Sequence, residues 1–340
     1  MATSNATLVA TDTTIALTRA TSSMLYVMYT VIGPTLGVLG ILGNIINIII
    51  FSRHGYNQAM NITLTALSVC DIGTLLTQRV YNILWNPFYD NTDTTYVKSD
   101  VIAMFSTYPG KYFIRVCGYV TAFAAFEKCL SVIAPMKVKN IITTKVATIT
   151  NIVIFVTMTL TVFPLYYVSY LDVRYSAKLN RTVLQMGYRD FRQALVSVAY
   201  WIADLAVPFI SFVTLILCNL ILAVSLRQKF NWRKTVSQIS DKRLAHLSSK
   251  ETKLVQMLMT VSVIFICSLL PKSALLAAAS IDRSLDTGGN RFYIMELVYA
   301  VSIYTETITA SVNALVYYKM SSRYRDTLHE MFRQAKRLFS

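Results

Sequence analysis

The chain has 340 residues, of which 54% are hydrophobic and only 14% charged, against about 25% charged in a soluble domain. A long chain could bury that much apolar surface in a soluble core, but here the apolar residues are not spread out. A formal charge of +15 would suit a nucleic-acid binder, but its distribution along the chain excludes that class.

The apolar residues come in blocks of roughly 20 or more, the length that crosses about 30 Å of hydrocarbon. A backbone in lipid must satisfy its own hydrogen bonds, so each block is expected to be a helix. Residues 1–24 precede them and are rich in Thr, Ser and Ala. They have no basic segment ahead of an apolar one, so a disordered tail without a cleaved signal peptide is expected. Asn5-Ala6-Thr7 within it is a glycosylation sequon.

The first block, near 25–51, contains Gly43-Asn44. An Asn in lipid is costly unless it meets a partner helix. The second, near 60–84, places Asp71 in mid-membrane. Such a carboxylate is either part of an ion, proton or polar network, or a protonated group holding helices together. A second sequon at Asn61 falls at the inner border and should stay unmodified. The loop 85–101 is polar and acidic. The third block, near 102–134, ends in Glu127-Lys128-Cys129, with Pro135, Lys137 and Lys139 beyond. The fourth, near 146–170, closes with Pro164 and the tyrosines 166, 167 and 170, which suit the headgroup level.

The loop 171–193 carries a third sequon at Asn180-Arg181-Thr182. The fifth block, near 194–226, contains Pro208, and the sixth, near 253–280, contains Pro271; both prolines are expected to kink their helices. Between them lies 227–252, basic and Ser-rich. It is either a solvated linker or a contact surface for a cytoplasmic partner, with Ser237, Ser240, Ser248 and Ser249 as candidate phosphorylation sites. The seventh block, near 292–318, contains Asn313 and Tyr317. After it, Tyr324, Leu328, Met331 and Phe332 recur at helical spacing among basic residues, the pattern of an interfacial amphipathic helix.

Lys and Arg concentrate in the loops after the third and fifth blocks and in the final segment. The positive-inside rule then places the N-terminus outside. The basic excess reads as a topological signal and a patch for anionic lipid headgroups, not as a nucleic-acid surface. The five cysteines, 70, 117, 129, 218 and 267, all fall within or at the ends of apolar blocks, so no outer disulfide framework is implied and they read as small buried hydrophobes. There is no phosphate loop, zinc spacing or nucleophile elbow, and His54, His246 and His329 are scattered. No cofactor, metal site or enzymatic activity is expected. The fold class is an all-α membrane protein: a disordered outer tail over 1–24, a seven-helix bundle over 25–318, and an inner amphipathic helix and tail over 319–340.

Roughly residues 25–335 resemble the rhodopsin-like (class A) G protein-coupled receptors. Gly43-Asn44 matches the first-span motif, and Leu67 with Asp71 matches the second. Glu127-Lys128-Cys129 stands in the place of the E/D-R-Y triplet, with Pro135 where the loop proline is expected. Pro208 and Pro271 match the fifth- and sixth-span prolines, with Phe265 six residues before Pro271, and Asn313 and Tyr317 match the ends of NPxxY. The strings EKCLSVIAPMKVK and NALVYYKMSSRYR look most like invertebrate orphan or chemosensory-type receptors. The resemblance implies a multi-pass plasma-membrane receptor with an extracellular peptide or small-molecule ligand and a heterotrimeric G protein as partner. It assigns Glu127, Lys128, Cys129, Pro208, Phe265, Pro271 and Tyr317 to switching and coupling, and Asn44, Asp71, Cys117 and Asn313 to a polar hub between the two ends.

The chain departs from that pattern in places. Lys128 replaces the Arg, keeping the charge but losing its bidentate fork. Leu269 stands where a toggle tryptophan is usual, and Ala314 replaces the proline of NPxxY. Ala103 is found where the loop-bridging Cys is expected, and 171–193 has no Cys. The outer disulfide is therefore absent, and that loop is expected to be more mobile.

An opsin's Schiff-base lysine is replaced by Thr307 and an amine receptor's aspartate by Gly110, which sets both ligand classes aside. The outer half instead holds Lys111, Arg115, Asp204, Lys272 and Glu306. Lys111 and Arg115 lie four apart, so they share a helix face. At about 1.5 Å per residue, Lys111 sits roughly 24 Å above Glu127. The five charges are expected to line one outer cavity, with Arg115 paired to Asp204 and the others offered to a peptide terminus or small zwitterion. The alternative is that they only pair with one another. A transporter or channel would show repeats and a polar path through the membrane, which the chain lacks. A receptor homologue that does not couple is the other rival, motivated by Lys128 and Ala314.

Overall fold

The structure is a computed structural model that describes residues 23–85, 95–176, 180–189, 206–236, 253, 255–269, 274 and 292–339. The tail sequon at Asn5, the charges Asp204 and Lys272, Pro271 and the four loop serines lie outside the described residues.

Seven apolar helices form a bundle. They are α1 (Ser23–His54), α2 (Ala59–Leu84), α3 (Lys98–Ile133), α5 (Thr144–Val168), α6 (Val207–Val236), α7 (Val255–Leu269) and α8 (Phe292–Met320). A short inner helix, α4 (Pro135–Ile141), joins α3 to α5, and α9 (Ser322–Phe339) follows α8. Five of them, α1, α2, α3, α5 and the apolar stretch Val207–Ser225 of α6, are long and apolar enough to cross a membrane. Leu, Ile and Val on α1 and α5 stay exposed, as in Leu39, Leu42, Ile152 and Leu160. In water that would be an error; in lipid it is the expected outer surface.

Local sequence explains the helix details. Two π-helical turns, Met28–Ile32 and Ala103–Thr107, each precede a proline, Pro34 and Pro109. A proline removes one backbone donor and crowds the carbonyl four residues back, and widening that turn relieves the crowding. Gly55 ends α1 at φ 81°, where its N–H donates to Ser52 O, a backbone that favours glycine. Thr143 caps α5, accepting from Val146 N at 3.3 Å. Asn61 is buried and ties the α1–α2 turn, with Nδ2 donating to Gly55 O at 2.7 Å.

The third helix packs at the centre, against α2, α5 and α6, while α1 packs between α2 and α8. The core runs through Val116, Val120 and Ala124 on α3, Leu215 and Leu222 on α6, Leu258 and Phe265 on α7, and Tyr317 on α8.

Two expectations need correction. The helix α6 continues to Val236, ten residues into the stretch read as a loop. Its basic residues there, such as Lys229 and Arg233, do not prevent the helix, because Lys and Arg are good helix formers. The loop after α5, expected on the outer side, is a β-hairpin. Strands β1 (Ser169–Ser176) and β2 (Arg181–Tyr188) pair antiparallel, from Ser169↔Tyr188 to Ser176↔Arg181. The alternation of Val, Tyr and Leu with polar residues carries this strand signal. In place of a disulfide, the residues ahead of α3 and its first turn hold the hairpin. Val97 N donates to Leu184 O at 2.8 Å, Leu184 N to Thr95 O at 2.8 Å, and Met186 N to Asp100 Oδ2 at 2.8 Å. On the exposed strand β1, hydrogen bonding by Arg174 holds the Asp172 carboxyl below its usual range.

Candidate functional site

The middle of the bundle is organised around Asp71 on α2, which is 4% exposed. Asn313 Nδ2 from α8 donates to Asp71 Oδ2 at 2.6 Å, and Cys117 Sγ from α3 donates to Oδ1 at 3.4 Å. Asn44 on α1 reaches α8 instead, its Nδ2 donating to Ala310 O at 2.7 Å and to Gly40 O at 2.9 Å. Close approach of α1 and α8 at this level requires glycine. A Cβ at Gly40 would collide with Ser311 and would lie 2.8 Å from Leu75 Cδ1.

Asn44 also passes the network downward. Asn47 Nδ2 donates to Asn44 Oδ1 at 3.2 Å, and Tyr324 OH on α9 donates to Asn47 Oδ1 at 2.6 Å. Around that bond, Phe51, Tyr317 and Tyr324 pack ring against ring at 5.5 to 6.1 Å. His54 contacts Thr327 Oγ1 at 3.0 Å and Arg53 donates to Gln334 Oε1 at 3.1 Å. The helix α9 is thus bound to the inner end of α1. Leu328 and Met331 pack against the core, while Phe332 is 63% exposed.

Of the four hub residues named from the sequence, Asp71, Cys117 and Asn313 share one hydrogen-bonded group, while Asn44 belongs to a second that reaches α8 at Ala310 O. Asn47 is not among the residues the sequence singles out, although Asn44 and Asn47 lie three apart and share a helix face, and Tyr324 is singled out only for the amphipathic helix.

Two cavities stack above the hub. The lower is a cleft of about 20 Å³ lined by Asp71, Cys117, Phe265, Leu269 and Glu306 among others. The upper is a cleft of about 30 Å³, and Gln78, Tyr81, Lys111, Tyr299 and Glu306 are among its walls. Glu306, Thr74 and Ile114 line both. Gln78 is fixed between helices, accepting from Thr307 Oγ1 at 2.6 Å and donating to Ile303 O at 3.4 Å.

Of the outer charges, the structure brings Lys111 and Glu306 to one cavity. Arg115 does not join them. It is buried and donates to Thr161 Oγ1 of α5 at 3.0 Å. Four residues along a helix is somewhat more than one turn, and the long guanidinium reaches sideways to the neighbouring helix.

The residues that the sequence resemblance assigns to coupling lie towards the α3–α4 end of the bundle. Glu127 is 6% exposed and its Oε2 has no hydrogen-bond partner. Lys128 is half-buried beside it. Cys129 Sγ donates to Cys218 O at 3.1 Å, joining α3 to α6. Tyr317 is 1% exposed with an unpartnered hydroxyl. Higher up, Tyr119 OH donates to Val207 O at 3.0 Å, beside Pro208. A Cβ at Gly118 would lie 3.3 Å from Phe265 Cζ and 3.4 Å from Ser211 Oγ, so Gly118 is where α3 admits both α6 and α7. Among the described residues no three His, Cys, Asp or Glu side chains gather as metal ligands.

The family model described as serpentine type 7TM GPCR chemoreceptor Srw matches residues 31–335. A comparison with curated proteins finds no match.

Proposed function

The chain belongs to the serpentine 7TM GPCR chemoreceptor family Srw, and on that premise we propose that it is a plasma-membrane receptor of the rhodopsin-like plan. Its N-terminus is outside. It takes a small polar or charged molecule, or a peptide end, in the upper cavity and activates a heterotrimeric G protein at its inner face. Asn180, exposed at the hairpin turn, and Asn5 carry glycans.

One observation supports this reading above the others. Glu306 lines both the outer cavity and the cavity over Asp71, so a ligand that engages Glu306 touches the wall of the hub. Lys111 lines the same upper cavity and gives it both signs of charge, which suits a zwitterion. Ligand binding favours the conformer it binds better. The hub side chains Asp71 and Asn313 then repack, and α6 swings about Pro208 at its inner end. Phe265 and Gly118 form the joint on which α3 and α7 move. Glu127, Lys128 and Tyr317 then meet the G protein.

The test is a response screen with small zwitterions and short peptides, using cells that carry a panel of Gα subunits. An agonist response lost in Glu306→Gln and in Lys111→Ala, at unchanged surface expression, supports the reading. An agonist response unaffected by both contradicts the assigned site. The competing reading, a homologue that does not couple, rests on Lys128 and Ala314.

A further inference from the structure

Three hydroxyl side chains of the upper cavity have committed their only hydrogen to backbone carbonyls. Thr74 Oγ1 donates to Cys70 O at 3.0 Å and Thr77 Oγ1 to Thr74 O at 2.8 Å, both within α2. Ser106 Oγ, on the π-helical turn of α3, crosses to Thr77 O at 2.8 Å. A hydroxyl has one hydrogen and two lone pairs, so each of these oxygens is left as an acceptor. The three residues are 3% to 7% exposed, and all of them line the cavity.

Glu306 adds a carboxylate from α8 and is 6% exposed. A buried carboxylate is costly without donors or positive charge around it. Lys111 brings a positive charge to the same cavity, but its stem is set away from the α2 hydroxyls. Side chains tilt toward the N-terminus of their own helix. On α3 that direction runs from Lys111 toward Thr107, whereas on the antiparallel α2 it runs from Thr77 toward Thr74. Acceptors therefore gather at one end of the cavity and the lysine leans to the other. The space is small as well: about 30 Å³ takes about two groups the size of a water molecule. A primary ammonium has that size and three hydrogens to donate. A ring or a trimethylammonium group is too large.

Resting on the receptor reading of the chain, we infer that the upper cavity is a subsite for a primary ammonium group of the ligand. The Glu306 carboxylate and the oxygens of Thr74, Thr77 and Ser106 hold it, with the rest of the ligand toward Lys111. Charge-assisted hydrogen bonds such as that to Glu306 are the stronger ones. The hydroxyl acceptors discriminate against a head group with nothing to donate, which leaves them unpaired. Gly110 gives α3 no carboxylate at this level, and Glu306 supplies one from α8. The ligand class is thereby narrowed to primary amines and free amino termini, and N-acylated or quaternary forms are excluded.

The experiment is thermal unfolding of the purified full chain in nanodiscs of zwitterionic lipid. Methylammonium chloride replaces tetramethylammonium chloride at constant ionic strength, so that charge is kept and only the donors and the size change. The wild type is expected to gain about 2 °C or more in methylammonium at roughly ten times its dissociation constant. The gain disappears in Glu306→Gln. Thr77→Val, isosteric and lacking one acceptor, needs roughly tenfold more methylammonium for the same gain, and it serves if Glu306→Gln does not fold. Lys111→Gln enlarges the gain, because a repelling charge is removed. No difference between the two cations in the wild type overturns the proposal, and so does an equal gain in Glu306→Gln. The measurement needs neither agonist nor G protein. A methylammonium gain in a chain that activates no Gα keeps the subsite while the receptor reading fails. An agonist that acts through Glu306 and carries no amine keeps the receptor reading and overturns the subsite.

Discussion

The hydroxyl of Tyr324, on the helix that follows the last span, donates to Oδ1 of Asn47 in the middle of the first span's buried face, at 2.6 Å. Both residues are almost fully buried. The inner helix α9 is therefore more than an amphipathic segment resting on lipid. Through Asn47 and Asn44 it shares a hydrogen-bonded chain with Ala310 of α8, one helical turn from Asn313.

Tyr324→Phe keeps the ring packing against Phe51 and Tyr317 but leaves Asn47 Oδ1 without its donor. An interhelical hydrogen bond in a membrane protein contributes roughly 0.6–2 kcal/mol. A loss of about 1 kcal/mol is expected, read as a lower unfolding temperature, together with faster hydrogen exchange along Ser322–Phe339. Unchanged exchange there would mean the bond does not hold α9 in place.

Asn313→Ala removes the 2.6 Å donor to Asp71 and leaves the carboxylate with the weaker Cys117 thiol. A buried acceptor left short of donors costs about 1–3 kcal/mol. Asp71→Asn in the same background relieves part of that cost, because the amide brings a donor of its own to the group. Unfolding temperatures of the two single variants and the double should therefore be non-additive. Strict additivity would show that the two side chains do not act as a unit.

Gly118→Leu drives a side chain into Phe265 and Ser211, at the meeting of α3, α6 and α7. Overpacking of this kind costs about 1–3 kcal/mol, so surface expression should fall. Gly118→Ala needs a shift of only a few tenths of an ångström, since its Cβ would stand 3.3 Å from Phe265 Cζ. It should express near the wild-type level. Equal expression of both variants would contradict the close packing at this joint.

Asp100→Ala removes the acceptor for Met186 N, one of the bonds that hold the outer hairpin against the start of α3. The hairpin should then exchange its amide hydrogens faster over Leu184–Gly187 while the bundle's unfolding temperature changes little. Asp100→Asn, which keeps an acceptor oxygen, should retain most of the protection. This test matters because the sequence has no cysteine pair there, and its absence suggested a loose loop.

That misreading shows where sequence and structure part. The seven spans were legible because lipid imposes a length and an apolar composition on each one, and the hub because Asn44, Asp71 and Asn313 are polar residues where polarity is costly. The hairpin was missed because its strength lies in backbone bonds to Thr95 and Val97, distant in sequence and ordinary in composition. The continuation of α6 to Val236 was missed because a charged helix leaving the membrane has no apolar signature. Arg115 donates to Thr161, and its expected partner Asp204 lies outside the described residues.

We propose that this receptor couples a cavity bounded by Lys111 and Glu306 to a G protein through the Asp71 hub. The most direct test is basal G-protein activation by the full chain, measured against a panel of Gα subunits, with Lys128→Arg and Asn313→Ala beside the wild type at matched surface expression. The account predicts measurable activation through at least one Gα, higher in Lys128→Arg, where the bidentate guanidinium is restored, and altered in Asn313→Ala. No activation through any Gα by the wild type and Lys128→Arg, with both proteins at the cell surface, would contradict it.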